Sequence, residues 1–201
     1  MCRCLPYGGE SLNSDQPHAE TSDSLPFDLV RIVEAFERHD VAYIAIGGIS
    51  GMLHGAVNYV TQDVDMMVRA VDENLARVIA ALNDLGVDTD HELAIAELRQ
   101  NTRWTTEAGP LDILLTAIGP HESEITFTDL TPGTQLFEIT QGLLVRAASL
   151  NDVIRMKEAA DRLKDHLALP ELRRLRGDAH PERQRDEDLF AEFNIEEGLD
   201  D

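Results

Sequence analysis

The stretch IGGISGMLHGAVNYVTQDVDMMV, Ile46 to Val68, constrains the folding of this chain more than any other. A short, β-rich apolar run, VAYIAI (Val41 to Ile46), leads into it and reads as a buried strand. Two glycines, Gly47 and Gly48, follow at once. ISGMLHG then reads as a short helix or helical turn, and DVDMMV as a second strand. A strand, a glycine turn, a helix and another strand in quick succession point to a sheet with helices packed on it.

The rest of the chain agrees. PFDLVRIVEAFERHD places Leu29, Ile32, Val33 and Phe36 at helical spacing, with Pro26 near its start. VDENLARVIAALNDLG is an amphipathic helix closed by Gly86. NTRWTTEAGPLDILLTAIG reads as a hairpin turning at Gly109-Pro110, with its second strand from Leu111 to Thr116. QLFEITQGLLVRAA reads as another, turning near Gln141-Gly142. SLNDVIRMKEAADRLKDHLALPELRRLR gives one or two helices with Ser149 as N-cap. The expected fold class is α+β: a small mixed β-sheet with flanking helices and a C-terminal helical segment. The expected divisions are an irregular leader over 1–24, a core over 25–148, helices completing the site over 149–177 and an acidic tail over 178–201.

Composition narrows the function classes. The net charge of −21 argues against a protein that coats nucleic acid. Much of the Lys and Arg nevertheless falls in one segment, Arg155 to Arg176, so the global sign hides a local basic stretch. No apolar run approaches the roughly 18 residues a membrane helix needs, and no partner membrane is expected. The start lacks a charged block followed by an apolar one, so a secretion signal is not expected. Cys2 and Cys4 are too close together to clamp a fold, and free thiols suit a cytoplasmic protein.

The chemistry centres on Asp63 and Asp65. On a strand they point to the same face, and two adjacent carboxylates need a cation between them. Mg²⁺, which takes oxygen ligands and keeps company with phosphates, meets that need. Asp112, in the apolar run GPLDILLT, is a third acid that neighbouring strands can bring alongside, and three acids can hold two ions for in-line attack on a phosphate. With 38 acidic residues in the chain, strand-end or solvent-facing acids are the plainer alternative. Gly47-Gly48 at a strand–helix turn can let backbone N–H groups approach a phosphate, and Ser50 can add a hydroxyl; an ordinary tight turn is the alternative. No Lys follows, so this is not a P-loop.

Taken together, GGISGMLHG…TQDVD resembles the nucleotidyltransferase superfamily that includes DNA polymerase beta, and more closely the minimal bacterial nucleotidyltransferases of the AbiEii and MenT toxin type. IRMKEAADRLKDHLALPEL resembles the second signature of that group. The likeness spans roughly residues 28 to 176. It implies that Gly47, Gly48 and Ser50 contact an NTP triphosphate and that Asp63, Asp65 and Asp112 bind two Mg²⁺ ions. It further implies that Asp112 is the base toward an acceptor hydroxyl, that Lys157 meets the phosphates, and that Arg162, Lys164 and Asp165 line the site. Thr61 matches a position where some members carry a Ser or Thr that a cognate antitoxin phosphorylates. Tyr59 departs from the Arg that relatives often carry two residues before it. The implied acceptor is the 3′ end of tRNA.

Residue chemistry adds support and alternatives. Lys157 and Lys164 are seven apart, so on one helix they share a face suited to a triphosphate, or simply a solvated one. His54 reads as a packed helix-end histidine rather than a catalyst, and Trp104 as core rather than a base-stacking platform. Arg99 and Arg103 can join the Arg155–Arg176 stretch to hold an acceptor stem. The acidic surface suits a small cationic acceptor better than tRNA, which keeps small-molecule or protein nucleotidyl transfer open, as does a binding module without activity.

Overall fold

A computed structural model describes residues 26–57, 61–88 and 91–177. The leader over 1–24, the tail over 178–201, Cys2, Cys4 and Tyr59 lie outside the described residues. Within them the fold class is as expected: a mixed sheet with helices on its faces.

Helix α1 (Leu29–Arg38) is capped by Asp28, whose side chain accepts from the Arg31 N–H. Strand β1 (Tyr43–Ala45) runs into α2 (Gly47–Leu53), and β2 (Val64–Val68) follows. Helix α3 (Asp72–Asp84) ends just before Gly86, and α4 (His91–Glu97) was not foreseen from sequence. Then come β3 (Thr102–Thr106), β4 (Gly109–Leu114), β5 (Thr116–Ile118), β6 (Glu124–Thr126) and α5 (Phe127–Leu130). The hairpin of β7 (Gln135–Thr140) and β8 (Leu143–Ala147) turns at Gln141-Gly142, as its sequence implies. Helices α6 (Leu150–Ala160) and α7 (Leu163–Arg176) complete the described chain, and Ser149 caps α6 by accepting from the Asp152 N–H.

The sheet has six strands in the order β3-β4-β2-β1-β8-β7. β2 lies antiparallel to β1 and parallel to β4, and β1 meets β8 in parallel. Alternation along the strands sorts the two faces. Tyr43, Ala45, Val64, Met66, Leu111 and Ile113 pack with the apolar stripes of α1 and α3. Ile44 and Met67, one residue out of phase, pack with Val153, Ile154 and Met156 of α6 and Ala168, Leu169 and Leu172 of α7. Each fully buried side chain of this kind favours the folded state by roughly 1.5–3 kcal/mol. Asp65 and Asp112 share the phase of Met67, so the fold aims both toward the α6–α7 side.

One turn differs from its sequence reading. Gly109-Pro110 is not the turn of the β3–β4 hairpin but the start of β4. The register pairs Thr106 with Gly109, leaving Glu107-Ala108 to turn. Thr106 explains the shift: its hydroxyl donates to the Gly109 carbonyl at 2.7 Å and accepts from the Ala108 N–H at 3.1 Å. Pro110 sits at Thr105 on the partner strand, and its missing N–H is tolerated near the hairpin end.

Candidate active site

Asp63 immediately precedes β2, Asp65 lies in it, and Asp112 stands directly across from Asp65 in the β2–β4 register. The three predicted acids thus come from two neighbouring strands. Burial pushes the Asp65 carboxyl up to about 6, and the charges of Asp63 and then Asp112 push the same way; Lys164 and Arg162 pull against them.

Gly47 and Gly48 make this packing possible. At Gly47, where φ is +60°, an added Cβ would lie 2.1 Å from Asp65 Oδ2. At Gly48 it would lie 2.5 Å from the Thr61 side chain. Any larger residue would drive Asp65 or Thr61 off the glycine turn. Both glycines line a cleft of about 270 Å³ with Asp63, Asp65, Lys157, Arg162, Lys164 and others. Carboxylates form one wall and cations the other.

A second cleft, of about 480 Å³, shares Gly47, Asp65, Lys157 and Arg162 with the first. Leu114, Val153 and Met156 give it an apolar wall, and the β5–β6 hairpin closes it with Ile118, Glu122 and Glu124. Its volume is within the usual range for small-molecule sites. Sequence reasoning missed this wall because three-residue strands are too short to show alternation. A more open hollow of about 850 Å³ lies between the start of α1 and the β3–β4 turn. Its acids already have work: Asp28 caps α1, and Glu107 pairs with Arg31.

The cations are placed differently from the expectation of one helical face. Asp161 adopts a left-handed conformation (φ +50°) that ends α6, and extended Arg162 begins α7. Lys157 and Lys164 therefore belong to separate helices, and the kink rather than a heptad spacing brings both to the cleft. Asp165 is the hinge of this arrangement. It is fully buried, accepting from Lys157 Nζ at 3.0 Å and Arg162 Nε at 2.7 Å. Burial alone would raise its pKa, but the hydrogen bonds from Arg162 and then Lys157 hold it below the ordinary carboxylate value. Asp165 does not line the cleft as expected; it orients the two cations that do.

Ser50 needs a clearer correction. It is fully buried, and its hydroxyl donates to the Ala148 carbonyl at 2.9 Å, tying α2 to the end of β8. It lines neither cleft, because its side chain is closed off from solvent and committed to that bond. Thr61 is 8% exposed, and its hydroxyl donates to the Asp63 carbonyl at 3.0 Å, which steadies the entry to β2. His54 is packed: its Nε2 lies 2.9 Å from the Ala148 carbonyl, and its ring meets Phe137 edge-on. Trp104 packs against the core with its Nε1 donating to Thr102 at 2.9 Å.

Arg103 is the residue whose role the sequence concealed. It stands opposite Asp112 in the β3–β4 register and donates to both oxygens of Asp112 and to Asp63. Among the described residues no three acidic, histidine or cysteine side chains stand grouped as a ready metal cage, and Arg103 spans the gap between two of the acids. Arg99, which with Arg103 was expected in an RNA-holding patch, pairs with Asp72 and stays exposed.

The chain matches no protein-family model and no curated protein. Four chains of solved structures match it. One, from Thermotoga maritima and provisionally described as a nucleotidyltransferase, shares 15% identity at a TM-score of 0.45, over 75% of this chain and 91% of that one. That distance is too great to carry a family or an activity across.

Proposed function

We propose that this protein is a Mg²⁺-dependent nucleotidyltransferase, moving a nucleoside monophosphate from an NTP to an acceptor hydroxyl. One observation carries the reading: Asp63 and Asp65 face Lys157, Arg162 and Lys164 across a single cleft, with Asp112 in register beside Asp65. Acids that collect oxygen-liganded cations and cations that collect phosphates are both required by a metal–triphosphate substrate, and by few others.

The donor set fits Mg²⁺. All three candidate ligands are hard carboxylates, and burial followed by two acidic neighbours raises the pKa of Asp65, so its charged form would gain from a bound cation. Asp63, Asp65 and Asp112 would hold the metal, two ions on the expectation from resemblance, and the metal would supply charge neutralisation on the triphosphate. The chain's own groups do the remainder. Lys157, Arg162 and Lys164 bind phosphate oxygens, and Asp165 fixes the first two in place. The apolar wall of the larger cleft shields the nucleoside from water. Asp112 takes the proton of the acceptor hydroxyl as its oxygen attacks the α-phosphorus; the α–β anhydride bond breaks and pyrophosphate leaves.

The acceptor we favour is the 3′ end of tRNA, with the protein acting in the cytoplasm as the toxin of a toxin–antitoxin pair and Thr61 as a site its antitoxin phosphorylates. The sequence resemblance supports this. A small cationic acceptor is the second reading, and pairing of the basic stretch favours it: Arg155 with Asp152, Arg162 with Asp165, Arg173 with Glu158. Glu122 and Glu124 add acid to the larger cleft. No helix among the described residues is long and apolar enough to cross a membrane. The test supplies each α-labelled NTP with Mg²⁺ and either total tRNA or an aminoglycoside, with Asp63→Ala as control. Label on tRNA, absent in the variant, is expected. Label on the aminoglycoside alone would select the second reading, and no label on any acceptor would refute transfer.

A further inference from the structure

Arg103 reaches the acid group from β3, one of the two edge strands of the six-stranded sheet. Its Nε donates to Asp112 Oδ1 and its Nη2 to Asp112 Oδ2, each at 2.7 Å, and Nη2 also donates to Asp63 Oδ2. This two-acid fork is a geometry that the planar guanidinium makes and the lysine ammonium does not. Asp63 and Asp112 are largely covered, at 15% and 19% side-chain exposure, while Arg103 is 61% exposed. The acids are therefore held by the fold, whereas the arginine has a free path outward to solvent. Every hydrogen bond its side chain makes among the described residues goes to these two acids.

We propose that Arg103 is a resident counter-ion of the acid group that a divalent cation must displace. The same carboxylate oxygens cannot serve both. Resting on the transferase reading of the acids, this makes the free protein a weak metal binder in which Asp63 and Asp112 stay bridged and correctly aimed. The apparent affinity for metal is the intrinsic affinity reduced by the fraction of molecules in which Arg103 has swung away. A substrate that brings its own phosphates supplies the missing binding energy, so metal and NTP bind together rather than in sequence. Arg103 is thus a positioning residue that enforces coupled loading.

The experiment measures Mn²⁺ binding to the full chain without nucleotide, by the loss of the free-ion electron paramagnetic signal. Wild type, Arg103→Ala and the double variant Arg103→Ala/Asp112→Asn are compared, with circular dichroism to confirm folding. Arg103→Ala is expected to bind Mn²⁺ about tenfold more tightly than wild type, and the double variant to lose that gain. A merely structural arginine predicts the opposite sign, since its loss would loosen the acids. Arg103→Lys, which keeps charge but not the fork, serves if the alanine variant does not fold, and is also expected to bind more tightly than wild type. Equal or weaker binding by both variants, with wild type binding measurably, would overturn the inference and leave the transferase reading standing. No binding by any of the proteins at millimolar Mn²⁺ would overturn both.

Discussion

Asp65 works against the stability of the fold that presents it, and Asp65→Asn should show by how much. Its carboxyl is pushed from an ordinary value of 3.8 to about 6, mainly by burial and then by Asp63 and Asp112. A raised acid pKa means the folded state holds its proton more tightly than the unfolded chain. Stability from this group is therefore greatest at low pH, falls as pH rises from about 4 to about 6, and stays low above that. The displacement corresponds to about 3 kcal/mol at neutral pH. Asparagine keeps the shape beside Gly47 and removes the charge. In EDTA at pH 7.5 it should stabilise the protein by about 2–3 kcal/mol, or roughly 4–10 °C in Tm, and do little at pH 4. Urea unfolding of both proteins across that range reads the effect. An Asp65→Asn protein no more stable than wild type at pH 7.5, or one keeping the same pH slope, would refute the reasoning.

Three further substitutions separate architecture from chemistry. Ser50→Ala removes one of two side-chain contacts to the Ala148 carbonyl and leaves that of His54, so denaturation should show a loss of about 1 kcal/mol while the rate of label transfer, per folded molecule, is unchanged. Gly47→Ala puts a methyl group where Asp65 Oδ2 lies, at a φ of +60°, and should abolish transfer even in preparations whose circular dichroism is native. Asp165→Asn removes the buried anion that faces Lys157 and Arg162 and should cost about 3 kcal/mol in urea unfolding while weakening NTP binding.

The parts of this site that were legible in the sequence were those set by local spacing. Gly47-Gly48 after an apolar strand, and Asp63 and Asp65 one residue apart, fix their own geometry once the strands form. Ser50 misled because the motif was matched by residue type; that its hydroxyl meets Ala148, 98 residues away, is set by how α2 packs on the end of β8. Asp165 looked like a cleft residue because its neighbours are, and its burial depends on a kink at Asp161 that no residue-type rule announces. Arg103 was hidden for a different reason. Its partners lie 9 and 40 residues away, and a cation that neutralises an acid cluster through sheet register leaves no local pattern. The β3–β4 turn was displaced by the Thr106 hydroxyl, a side-chain preference stronger here than the Gly-Pro signal.

The central claim is that three aspartates, two glycines and the Lys157–Arg162–Lys164 group together form one metal–triphosphate site. Equilibrium binding of a labelled α,β-methylene NTP, with and without Mg²⁺, to wild type, Asp63→Ala and Lys157→Ala tests it most directly. The account predicts Mg²⁺-dependent binding by wild type that each variant weakens by at least about tenfold. Binding of equal strength in EDTA, or binding unchanged by both substitutions, would contradict it.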